Sequence, residues 1–90
     1  MNAKRRKDIA FIVREITLIS EKSESILNDL ESIKNEEEEC LENIPENLQD
    51  SERYTAAEEA VDNLDSACDT LQEAIDNLAD VISSLDEASK

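Results

Sequence analysis

Carboxylates are the chemical groups this sequence offers in quantity, and some of them are regularly spaced. Asp62, Asp69 and Asp76 recur every seven residues, each followed by an uncharged polar residue, Asn63, Thr70 or Asn77. Asp65 and Asp80 stand on neighbouring lines. On a helix that rises about 1.5 Å per residue, such a row holds carboxylates about 10 Å apart. Ordered negative charge on a stiff rod can imitate a nucleic-acid backbone and occupy a basic groove. The same strip also reads as a plain solvated face. Paired carboxylates are too common along the chain to mark a general acid and base.

Other reactive groups are scarce. Histidine is absent, which removes zinc sites of the His-Glu-x-x-His kind, di-iron Glu-x-x-His bundles and His-activated nucleophiles. Glycine is absent too, so neither a phosphate-cradling loop nor a calcium loop with its sharp turn is available. Cys40 and Cys68 are 28 residues apart and match no metal spacing; both read as fillers of an apolar core. The chain is expected to be non-enzymatic, with no metal and no cofactor.

The acidic row needs an element to carry it, and Ala60–Leu85 supplies one. A seven-residue unit repeats there: a small residue (Ala60, Ala67, Ala74, Val81), then a larger apolar one (Val61, Cys68, Ile75, Ile82), then a leucine three residues on (Leu64, Leu71, Leu78, Leu85). These positions fall on one face of a helix. With no glycine, one proline and two aromatic residues, Phe11 and Tyr54, the chain is expected to be all-α. Expected bounds are a helix over 3–43, a loop over 44–50 and a helix over 51–88, forming a single domain.

In the first helix the apolar positions Ile9, Ile12, Ile16, Ile19, Ile26, Leu30, Ile33, Cys40 and Ile44 alternate by three and four, with Ser23 and Glu37 in the two remaining slots. That is the seam of a coiled coil. Val13, Leu27 and Leu41 then lie beside it. Glu37 must reach water or a cation, because an unpaired buried carboxylate is costly. Glu36–Glu39 form a short acidic block, a contact for a basic partner or a solvated helix end. Pro45 breaks the helix. Asn43 is expected to end it in a left-handed conformation, Pro45 to open a short helical turn with Leu48 folded beneath, and Asp50 or Ser51 to cap the second helix.

Helices of roughly 60 and 55 Å joined by a short loop pair as an antiparallel hairpin. Folding about the loop sets Ile44 against Tyr54, Leu30 against Cys68 and Ser23 against Ile75. Cys40 and Cys68 are then about 15 Å apart along the axis, which excludes a disulfide between them. Lys4–Lys7 come beside Asp80, Asp86 and Glu87. Two helices cover only part of so wide an apolar ribbon. A homodimer that closes a four-helix bundle is therefore expected, its core and contact drawn from Ile19, Ile26, Ile33, Ala60, Leu64, Ala67, Leu71, Ala74, Leu78 and Val81.

Residues 1–35 carry seven basic and six acidic side chains, whereas residues 36–90 carry two basic and eighteen acidic. The net charge of −15 repels nucleic acid and anionic membranes and favours basic protein surfaces. Neither is expected as a direct partner. The apolar run Ile9–Val13 is cut by Arg14 and Glu15, too short for a signal core or a span, and the expected location is cytoplasmic. The segments Arg5-Arg6-Lys7, Asn43-Ile44-Pro45-Glu46-Asn47-Leu48-Gln49 and Ser51-Glu52-Arg53-Tyr54, with the heptads that follow, resemble a group of small acidic proteins of Firmicutes and their phages or mobile elements. That resemblance implies a bacterial or phage source and no particular activity.

The function expected from the residues is binding to a basic host protein, one that itself binds nucleic acid. Asp62, Asp65, Asp69 and Asp76 are the candidate contacts along the side, Arg53 and Tyr54 those at the loop end. The alternative is a self-associating structural bundle.

Overall fold

The structure, a computed structural model, describes all 90 residues. Two long helices, α1 (Ala3–Glu42) and α2 (Glu52–Ala88), flank a single 3₁₀ turn at Glu46–Leu48. They fold back on each other as an antiparallel hairpin, a rod of 69 × 15 × 14 Å. Both helices start on side-chain caps. The Asn2 oxygen accepts from the Arg5 N–H at 2.8 Å and Ser51 Oγ from the Tyr54 N–H at 3.2 Å, each cap contributing about 1 kcal/mol. Of the two candidate caps for α2, the residue used is Ser51.

The turn departs from expectation at two residues. Asn43 is right-handed, at φ −86° and ψ −2°, and no residue has positive φ. The last turn of α1 tightens instead: the Asn43 and Ile44 N–H groups donate to the Glu39 and Leu41 carbonyls. Pro45 then leaves in extended geometry at ψ 146°, so no left-handed residue is needed. Leu48 is not folded beneath the turn but half exposed, at 50 %. Its carbonyl is drawn outward to accept from Ser51 Oγ at 2.6 Å.

The largest correction concerns the seam of α1. Burial follows Ile9, Val13, Ile16, Ser20, Ser23, Leu27, Leu30, Lys34, Glu37, Leu41 and Ile44, which is also a three–four alternation. Ile12, Ile19, Ile26 and Ile33 are 43–55 % exposed, while Leu27 is 7 % exposed; Cys40, expected in the core, is exposed as well. The apolar ribbon of α1 is three columns wide, and one neighbouring helix covers only two. Spacing alone permits either outer column to go in. Turning the isoleucines inward would push Leu27 and Leu41 out towards the acidic side and take Lys34 away from Asp65.

On α2 the seam is the expected one, with Tyr54, Ala57, Val61, Leu64, Leu71, Leu78, Ile82 and Leu85 at least half covered and Cys68 and Ile75 buried. Leu27, Cys68 and Ile75, at 5–7 % exposure, form the one fully covered cluster, with Leu30 and Leu71 packed against it. Leu30 packing against the cluster that holds Cys68 agrees with the register inferred from the loop. Polar seam pairs bracket this cluster on α1: Ser20 and Ser23 on one side, Lys34 and Glu37 on the other. The rod is therefore tightest in its middle. No helix is long and apolar enough to cross a membrane.

Candidate functional site

With the seam fixed, each helix can be lettered by heptad, seam residues at a and d. In an antiparallel pair the two e columns share one flank of the rod and the two g columns share the other. One contact identifies the e flank directly. Lys34, on the seam of α1, reaches across to Asp65 at 3.3 Å, its side chain 21 % exposed. The Asp65 hydrogen bond raises the Lys34 pKa above the ordinary lysine value; partial desolvation opposes this, and the charges of Asp65 and Glu38 add to it.

All eleven acidic residues of α2 fall in the e, b and f columns: Glu58, Asp65 and Asp86 at e, Asp62, Asp69 and Asp76 at b, the rest at f. All are exposed. Glu24, Glu31 and Glu38 extend the same flank on α1, so Asp62, Asp65 and Asp69 share it with three glutamates and one cation, Lys34. Asp76 is held by the Gln72 amide at 3.1 Å. The four aspartates singled out from the sequence are thus gathered on one face.

Arg53 and Tyr54 are not on that face. Tyr54 is half buried in the seam, while Arg53 lies at the loop end on the g side. There it lines a hollow of about 780 Å³ with Glu37, Cys40, Ile44 and Leu48. Glu37 and Arg53 share this hollow without forming an ion pair. Cys40 and Cys68 are both free thiols.

The basic start of α1 does not bridge to the acidic end of α2 as expected. Lys4 pairs with Asp8 at 3.0 Å within its own helix, and Lys90 with Glu87 at 2.8 Å. Arg6 donates only to the Lys90 carbonyl, at 3.5 Å. Partners one turn away cost less side-chain freedom than partners across the rod, and exposed pairs contribute only about 0–1 kcal/mol.

The α1 half of the g flank is what the sequence reading misplaced, while the α2 half lies outside the seam as expected. Ile12, Ile19, Ile26, Ile33 and Cys40 occupy it on α1; Ala60, Ala67, Ala74 and Val81 occupy it on α2, with Val81 43 % exposed. Leu64, Leu71 and Leu78 belong to the seam within the chain. The signal that separates the two α1 columns lies in α2: every acid there avoids the g side, which marks that side as the apolar one. No protein family, curated protein or solved structure matches the chain.

Proposed function

We propose that the chain is a non-catalytic interaction module that binds a basic protein surface through the acidic e flank. In its most specific form it is a phage or mobile-element inhibitor that occupies the nucleic-acid-binding groove of a host protein. One observation carries this reading: Asp62, Asp65, Asp69 and Asp76, with Glu24 and Glu31 from the other helix, stand exposed on one flank of a rod beside the partly buried Glu38, with a single cation among them. Charge held at fixed spacing on a rigid support steers a basic partner and sets its register.

The test is capture from bacterial lysate with the wild-type chain and with the triple variant Asp62→Asn, Asp69→Asn, Asp76→Asn, both read by mass spectrometry. A basic, nucleic-acid-binding protein retained by the first and lost by the second supports the reading. Equal retention by both removes it.

The second reading is a self-associating bundle, a homodimer at its smallest. It is favoured by the half-exposed isoleucine column, since monomeric proteins rarely leave so long an apolar line uncovered.

A further inference from the structure

The g flank has relief as well as apolarity. The antiparallel register sets Ile33 beside Ala67, Ile26 beside Ala74 and Ile19 beside Val81, so a ridge of isoleucine runs along a trough of smaller side chains. Lines of different character border the two. Outside the trough, in the c column of α2, stand Asn63, Thr70, Asn77 and Ser84, none of them charged. Outside the ridge, in the c column of α1, stand Asp8, Glu15, Lys22, Asp29 and Glu36.

We propose that this flank seats a second copy of the chain, related by a two-fold axis parallel to the rod, with the ridge of each copy in the trough of the other. The proposal deepens the self-association reading and is independent of the acidic-flank reading. A ridge and a trough of equal length and the same seven-residue period on one face make that face complementary to itself.

Charge selects the axis. Two identical flanks stack in full overlap in two ways. With the axis along the rod, Ile26 of one copy meets Ala74 of the other, and each charged line runs beside an uncharged one. With the axis across the rod, ridge meets ridge and the two charged lines, each of four acids and one lysine, run against each other. Their like net charge is repulsive.

The acids of α2 all point away from the stacked flank in the first arrangement, so two strongly acidic chains can approach closely. The reach from Ile12 to Cys40 is about 42 Å. Across a rod 15 Å wide it offers roughly 600 Å² per copy, at the lower edge of stable interfaces. The hollow at Cys40 and Arg53 continues the same flank.

Mixed disulfide trapping tests the arrangement. In a Cys40→Ser background, chains carrying Ile26→Cys are mixed with chains carrying Ala74→Cys and oxidised. A control mixture pairs Ile26→Cys with Ile19→Cys. A disulfide forms only where Cα atoms come within about 7 Å, so the first mixture should yield the linked dimer about tenfold faster than the second. The untouched wild-type chain should sediment at twice its 10.1 kDa mass. Faster linkage in the control, linkage in neither mixture, or a wild-type chain that sediments as a monomer overturns the proposal.

Discussion

The two flanks of this rod are built on the same pair of helices and the same heptads, yet they solve opposite problems. The e flank carries Asp62, Asp65, Asp69 and Asp76 with three glutamates from α1, and admits one lysine. The g flank carries four isoleucines and an alanine-rich line, with no acid on either. On α2 the acids are held back from the trough, and their place beside it is taken by Asn63, Thr70, Asn77 and Ser84. Acids border this flank only along the outer edge of the isoleucine ridge, as Asp8, Glu15, Asp29 and Glu36. On the proposed function, segregation of this kind suits one flank to a basic partner and the other to an apolar one.

The comparison breaks most readily at the line the flanks share. Leu27→Ala removes the best-covered side chain of α1 and should cost about 2–5 kcal/mol in urea unfolding. Its neighbour Ile26 is the sharper probe. In dilute solution, with the copies apart, Ile26→Ala should cost less than about 1 kcal/mol, because half of that side chain already faces water. At concentrations where copies pair, the same change should cost about 2 kcal/mol. An Ile26→Ala effect as large as that of Leu27→Ala at every concentration would place both columns inside one chain.

On the acidic flank the effects on folding should be smaller and opposite in sign. Asp62→Asn, Asp69→Asn and Asp76→Asn together relieve repulsion, and should raise the melting temperature at low salt by an amount equivalent to less than about 1 kcal/mol. Raising salt from low to physiological strength should stabilise the wild-type chain in the same way, through screening, and stabilise the triple variant less. A melting temperature that is flat or falls with salt would mean that the acids do not repel one another in the fold.

The smallest expected effect is on Lys34. Its pKa is raised in the folded chain, chiefly by the hydrogen bond to Asp65. A raised pKa stabilises fully below the unfolded lysine value of about 10.4, and that contribution disappears as pH rises through the folded value. Asp65→Asn should therefore flatten the alkaline loss of stability relative to wild type, measured by thermal melts on either side of that range. Parallel curves would show that the cross-helix pair contributes nothing.

The architecture was legible because its causes are local. Pro45 ends a helix wherever it stands, the leucine heptads of α2 fix a seam, and two helices of similar length around a short loop have one simple way to pair. A cap at Asp50 or Ser51, of which the fold uses Ser51, and the packing of Leu30 against the cluster that holds Cys68 follow from those facts. The rotation of α1 was not legible from α1. Ile12, Ile19, Ile26 and Ile33 satisfy the three–four alternation as well as Val13, Ser20, Leu27 and Lys34 do, and on apolarity alone they win. What decides between them is non-local: the contact of Lys34 with Asp65 and the acid-free side of the other helix. The exposed state of Cys40 follows from that rotation. Leu48 and Asn43 differ for a smaller reason, because the turn can close through 3₁₀ bonds without a left-handed residue or an apolar plug.

Which column of α1 faces α2 is the point on which both flanks depend, and nuclear Overhauser contacts from the Leu and Ile methyl groups to side-chain protons within a single labelled chain measure it directly. Leu27 should show strong contacts to Leu71 and Ile75, while Ile26 and Ile33 show none to Cys68 or Ile75 of the same chain. Isoleucine methyls packed against Cys68 and Ile75, with Leu27 facing water, would contradict the account.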